Sequence, residues 1–171
     1  AIKAMNTWKT FFESNYSYII NKTYSQLLAV TSCTNCDYVS TNHEPILVIS
    51  LEIKDEFNKI EDCIENHIKI DKLDKENLWK CDKCNKKIQP ERKLVFWNLS
   101  DILIIQLKRF TNTGKKKNNQ INYSELLNME KYTINYIEKD TVYKLMGICI
   151  QEGSLSGGHY YAICRNELNN K

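Results

Sequence analysis

A chain of 171 residues with 42% hydrophobic and 26% charged content has room for one good core or two small ones, and its composition is that of an ordinary globular domain. A formal net charge of +3 gives no argument for nucleic acid or an anionic membrane, and no apolar run approaches the ~20 residues of a spanning helix. No stretch reads as a secretory signal, and the start at Ala1 rather than Met leads us to expect a fragment or a processed product.

In chain order, Trp8, Phe11, Phe12, Asn15 and Ile19 fall at helical spacing, which predicts a helix near residues 4–16 with its aromatic face in the core. Tyr24 to Val30 reads as a strand and leads into the turn Cys33-Thr34-Asn35-Cys36. Pro45 then opens an apolar run, Ile46 to Ile53, whose alternation predicts a further strand. Phe57, Ile60, Cys63, Ile64 and Ile68 return to helical periodicity behind Asp55 and Glu56, acids suited to the positive end of a helix. Lys72 to Asn77 reads as a charged connection, and Leu78-Trp79-Lys80 enters a second turn, Cys81-Asp82-Lys83-Cys84. Leu94 to Leu99 and Ile102 to Leu107 predict two strands meeting at a bend over Ser100-Asp101. The loop from Thr111 to Gln120 carries Lys115-Lys116-Lys117, expected simply to be solvated. Tyr143 to Ile150 and His159 to Cys164 predict strands joined by a flexible loop, Gln151 to Gly158, with three of the five glycines.

The two cysteine pairs are separated by 44 residues, and each has the two-residue gap that lets a tight turn present two thiolates to one ion. Seven cysteines, an odd number with four in such pairs, favour zinc in a reducing compartment over a disulfide framework. Cys63, Cys149 and Cys164 lie among apolar residues and read as small core hydrophobes. Four thiolates complete a coordination shell, so His43 and His67 are expected to be structural. His159 differs from both: it follows Gly157-Gly158 at the mouth of a strand, where an imidazole can reach into a cleft as a general base. Taken alone, a strand-end histidine without a catalytic task is the plainer reading.

The order of these features resembles the C-terminal two thirds of the catalytic domain of the ubiquitin-specific proteases, a family of cysteine deubiquitinases. Ala4 with Trp8, Tyr24 to Leu27, the two cysteine turns, Asp62-Cys63-Ile64, the stretch ending in Leu107-Lys108-Arg109-Phe110, and Tyr143 to Asn166 around Gly158-His159-Tyr160 carry the likeness. The resemblance implies an α+β, papain-like cysteine protease fold of fingers and palm with zinc-ribbon-like fingers and the thumb largely missing. Residues 24–98 would supply most of the fingers, and residues 1–23 and 99–171 most of the palm. His159 becomes the general base, and Cys33, Cys36, Cys81 and Cys84 a structural zinc site. Ubiquitin and ubiquitinated proteins become the partners, with no nucleic acid and no membrane, in an intracellular setting, cytoplasmic or nuclear.

Departures from the family pattern are as informative. The family's nucleophile lies in a cysteine box ahead of the region matching Ala4, and these residues contain no such box; the oxyanion-stabilising side chains go with it. None of the seven cysteines is expected to replace the nucleophile. The acid or amide that orients the histidine normally follows a Trp-containing segment, yet the 12 residues after His159 hold no Trp, and Asn166 stands too close. Gln151 stands where many members have histidine, and Ser100 where proline is usual. The chain is therefore expected to be inert alone and part of an active thiol-dependent deubiquitinase, completed by a missing N-terminal thumb segment. A catalytically inactive ubiquitin-binding scaffold is the alternative. A nucleic-acid-binding zinc ribbon is disfavoured by the near-neutral charge.

Overall fold

The structure, a computed structural model, describes residues 1–72, 78–134 and 139–166. Helix α1 (Ile2–Asn15) comes first, then a separate helix α2 (Tyr18–Thr23) that takes up Ile19. The break between them is chemical: Ser17 is extended, and its Oγ accepts the Ile20 backbone N–H at 3.1 Å, an N-cap that starts a new helix. Strands β1 (Ser25–Ser32), β2 (Val39–Ile46) and β3 (Val48–Glu52), helix α3 (Ile60–Ile68) and the short β4 (Asp71–Lys72) follow. Beyond residues 73–77 come β5 (Trp79–Lys80), β6 (Lys87–Ile88), β7 (Glu91–Asn98), β8 (Ile104–Lys108) and β9 (Leu126–Asn128). A 3-10 turn over Glu130–Tyr132, then β10 (Val142–Lys144), β11 (Gly147–Gly153) and β12 (Gly158–Cys164), complete the described chain. Past Lys72, the charged connection expected over 72–77 lies outside the described residues.

The largest sheet has the order β2-β1-β7-β4 with antiparallel pairing throughout, while β3 and β8 pair in parallel. The apolar run from Ile46 to Ile53 is thus not one strand: Ile46 closes β2 and the rest forms β3 in another sheet. Strand β2 is polar (Val-Ser-Thr-Asn-His-Glu-Pro-Ile) because it is an edge, and an edge also tolerates Pro45 without a missing ladder bond. Helix α1 lies against this edge. Its aromatic face is therefore only half-buried: Trp8, Phe11 and Phe12 cluster with one another and with Tyr24, and Ala4 alone among the helix residues is buried.

The core gathers where α3 crosses β3 and β7. Alternation in β3 sends Ile49 and Leu51 inward, opposite Ile105 and Leu107 of β8, and helical spacing in α3 brings Ile60, Cys63 and Ile64 to the same centre around fully buried Phe96. At the start of α3 the Asp62 carboxylate accepts the backbone N–H groups of Asn58 and Lys59, each at 3.2 Å, which fixes where the helix begins. The bend over Ser100-Asp101 has its own device. Ser100 Oγ donates to Ile102 O at 2.7 Å, so the 3.0 Å contact between the two hydroxyls has Ser25 as donor, while Ser25 Oγ accepts the Ser100 N–H at 3.0 Å. Proline at position 100 could not make the last bond. Both serines are buried, so Ser25→Ala is expected to cost about 1–3 kcal/mol in urea unfolding, the cost of orphaning a buried N–H.

The other two histidines pack against aromatic rings. His43 is buried edge-on against Trp97 with centroids 4.9 Å apart, and His67 stacks on Phe96 at 5.9 Å. Burial pushes both imidazoles below their ordinary 6.5, helped by Lys3 and the N-terminal amine for His43 and by Lys108 and Arg92 for His67. Below pH 6.5 the unfolded chain then binds more protons than the folded one. Stability is expected to be complete above that pH and to fall as pH drops through it, with a limiting slope of about 1.4 kcal/mol per pH unit for each histidine. Urea unfolding at pH 7.5 and pH 5.5, with and without His67→Leu, checks this: the variant should lose less on acidification than the wild type.

Candidate functional site

Two separate places carry the chemistry, and the first is the tip of the long sheet. Strands β1 and β2 are joined by the first cysteine turn, and β5 and β6 by the second, so the two turns meet face to face. In the second, Asn85 adopts φ 58°, the left-handed conformation a tight turn needs, with its N–H on Cys81 O at 2.9 Å and the Cys81 N–H on Lys86 O at 3.0 Å. The Cys33 N–H is likewise held by Tyr38 O at 2.9 Å. All four sulfurs lie within 4.8 Å of one another. Cys33 to Cys84 measures 3.9 Å and Cys36 to Cys81 3.7 Å, which match the ~3.8 Å edge of a tetrahedron built on metal–sulfur bonds of about 2.3 Å.

Charge around the cluster fits a bound ion. The Lys86 backbone N–H, pointing at Cys84, brings that thiol down to about 7 despite its desolvation. At Cys36 the Tyr38 backbone N–H also favours the thiolate, but desolvation and the three neighbouring sulfurs outweigh it and push the thiol up to about 12. Lys83, ion-paired with Asp37, and Lys86, 3.1 Å from Asn35 Oδ1, ring the cluster with positive charge, and Tyr38 stacks on Trp79 at 6.0 Å to join the turns.

The second place is the β11–β12 hairpin. Its register sets Glu152 opposite His159, with Gly153 opposite Gly158 at the closed end. Gly153 has φ 99°, and a Cβ there would lie 2.7 Å from Gly157 O, while a Cβ at Gly158 would lie 2.4 Å from Glu152 O. Both positions require glycine. The Ser154 N–H reaches Gly157 O at 2.9 Å, so the glycine-rich segment is a defined turn and not a slack loop. The single strand expected from Tyr143 to Ile150 is divided, since Tyr143 belongs to β10, which pairs with β9. Strand β9 is too short to be read from sequence.

Alternation along β12 puts His159, Tyr161 and Ile163 on one face, together with Glu152. Tyr161 donates its hydroxyl to Glu152 Oε1 at 3.1 Å, and that carboxylate holds the phenol above its ordinary 10. Every residue of β12 is exposed. The expectation that Cys149 and Cys164 are core hydrophobes is therefore wrong: both are exposed, because the hairpin is a two-stranded sheet with β12 uncovered. Both thiols also lie on the face opposite His159. Cys63, by contrast, is fully buried.

Sequence reasoning missed the lysine run as a part of this site. Only Lys115 is exposed; Lys116 donates to Gln151 O at 2.7 Å and to Gly153 O at 3.2 Å, and Lys117 donates to Ile53 O. Arg109 of the Leu-Lys-Arg-Phe stretch donates to Lys117 O at 3.2 Å and Asn119 O at 2.7 Å, which folds the loop back over the strand. Nothing in a polar tract announces such partners.

A four-thiol knuckle pair on a long sheet, with a Gly-His-Tyr hairpin beside a Leu-Lys-Arg-Phe strand, defines a domain of the ubiquitin-specific protease type. The comparison with known proteins makes that particular. This chain belongs to the ubiquitin carboxyl-terminal hydrolase family, which it matches over residues 3–171. It is 30% identical over 180 residues to ubiquitin carboxyl-terminal hydrolase 4 of Vanderwaltozyma polyspora, covering 95% of this chain and 20% of that protein. It is 34% identical over 131 residues to ubiquitin carboxyl-terminal hydrolase 42 of Homo sapiens, covering 75% and 10%. The chain thus spans about a fifth or less of the length of these relatives. A yeast SAGA DUB module superposes with a TM-score of 0.78 at 28% identity, covering 95% of this chain and 38% of that one. A SAGA Ubp8/Sgf11/Sus1/Sgf73 DUB module bound to ubiquitin aldehyde gives 0.72 at 27%, covering 86% and 34%. Among the described residues, no helix is long and apolar enough to cross a membrane.

Proposed function

We propose that this chain is part of a thiol-dependent deubiquitinase that hydrolyses the bond after the C-terminal glycine of ubiquitin, with the nucleophilic cysteine supplied from outside these 171 residues. The observation that carries the reading is His159: exposed at the mouth of a rigid hairpin, opposite a carboxylate, with both hairpin thiols on the other face. His159 takes the proton from the cysteine thiol; the thiolate adds to the glycine carbonyl carbon, and the imidazolium returns the proton to the departing amine. Water, deprotonated by the same imidazole, then cleaves the thioester. Cys33, Cys36, Cys81 and Cys84 hold a structural zinc. Its closed shell has no open position for water, so it supplies architecture alone.

Residues 24–98 are taken as most of the fingers that grip the body of ubiquitin, and residues 1–23 and 99–171 as most of the palm. The N-terminal thumb segment of the same domain completes the protein. Ubiquitin and ubiquitinated proteins in the cytoplasm or nucleus are the partners, in keeping with the ubiquitin aldehyde carried by the similar SAGA module. The test is turnover of a ubiquitin–fluorophore conjugate. The 171-residue chain is expected to give none, and the longest native polypeptide that contains it to be active. Turnover by the shorter chain would overturn the external nucleophile; ubiquitin binding without turnover in either would make it an inactive scaffold.

A further inference from the structure

The loop after Phe110 reaches across to the histidine hairpin, and Lys116 spans the gap. Its turn is closed by the Thr111 N–H on Lys115 O and the Gly114 N–H on Thr111 O, both 2.9 Å, so that Phe110 and Lys116 pair as an isolated antiparallel bridge. This aims the ammonium, 5.9 Å from the Phe110 ring centroid, at the carbonyls of Gln151 and Gly153. Those carbonyls flank Glu152, the residue directly opposite His159. The loop also approaches the hairpin turn closely at a second point: a Cβ on Gly114 would lie 3.3 Å from Leu155 Cδ2. Lys117 anchors the loop itself, through its ammonium on the carbonyl of fully buried Ile53 and its N–H on Arg109 O at 2.6 Å. The open end of the hairpin is held independently, by Arg165 on Glu125 at 2.8 Å.

We infer that Lys116 is a positioning residue for His159: it ties the backbone on either side of Glu152 to the Leu-Lys-Arg-Phe strand and so sets where the imidazole stands. This rests on the reading of His159 as the general base. A charge-assisted pair of bonds on two carbonyls is a directional tether, and a displacement of about 1 Å at a reacting group costs up to roughly 100-fold in rate. Water can satisfy both carbonyls once the lysine is gone, so what is lost is position and not the fold.

Lys116→Met and Lys116→Arg test this in two settings. In the 171-residue chain, amide hydrogen exchange over residues 151–159 is expected to quicken by about tenfold in Lys116→Met and to stay near wild type in Lys116→Arg, with residues 25–32 unaffected in both. In the longest native polypeptide that contains the chain, Lys116→Met is expected to lower kcat on ubiquitin–fluorophore by about 10- to 100-fold at unchanged KM, with arginine restoring most of it. Unchanged exchange over residues 151–159 in Lys116→Met overturns the inference, as does faster exchange shared with residues 25–32 and not rescued by arginine. His159→Ala separates the two readings. Full turnover in that variant removes the general base and the positioning role together, whereas its loss beside a wild-type kcat in Lys116→Met overturns the role of Lys116 alone.

Discussion

Cys81→Ser is expected to take the zinc content from about one per chain to near zero and to unfold the tip of the sheet while leaving the core folded. Cys81 is fully buried, and its backbone is bonded on both sides of the turn, to Lys86 and Asn85. The elements that hold the tip cannot stand alone: β5 and β6 have two residues each, and an isolated two-stranded ribbon is marginal even at full length. Structural zinc in comparable small elements contributes on the order of 10 kcal/mol, far above any other single contribution here. The loss should stop short of the centre, because Leu27, Phe96, Leu51 and Ile64 pack against one another without help from the tip. Elemental analysis reads the metal. Hydrogen exchange should collapse over residues 33–38 and 79–88 and persist over residues 49–53, and the Tyr38–Trp79 stack gives a fluorescence signal for the same event. Metal-free protein with intact thiols and unchanged exchange at the tip would contradict the zinc assignment.

How much of this was legible in the sequence follows the physics of each element. The cysteine turns were legible because a two-residue gap leaves few geometries for two thiolates, and the histidine hairpin because Gly153 and Gly158 are positions where a Cβ would strike backbone. Helix α3 was legible because its buried face is regular. Strand β2 was not, since its half-buried residues are mostly polar and leave no apolar period to read. The division of Ile46–Ile53 between two sheets was hidden too, because hydrophobicity records burial and not the partner. For Cys149 and Cys164, apolar neighbours in sequence suggested burial that a two-stranded hairpin does not provide. Lys116 and Lys117 were invisible for the opposite reason: their partners are backbone carbonyls of distant residues, which have no identity in sequence.

His159→Ala, made in the longest native polypeptide that contains this chain, is expected to lower kcat on ubiquitin–fluorophore by roughly a thousandfold or more, with ubiquitin affinity unchanged. Two properties of the site make the effect separable from folding. First, the ring is exposed at a strand end, so its removal opens no cavity and orphans no buried group. Second, the face it shares with Tyr161 and Glu152 contains no other histidine, and the Tyr161 phenol, held above its ordinary 10 by that carboxylate, cannot serve as the base near neutral pH. No second imidazole on that face can therefore take over the proton from the cysteine. The thermal midpoint and hydrogen exchange of residues 147–164 should match wild type. A residual rate within tenfold of wild type would show that the thiol is activated elsewhere, and the hairpin would then be read as a ubiquitin-contacting surface and not as a source of the base.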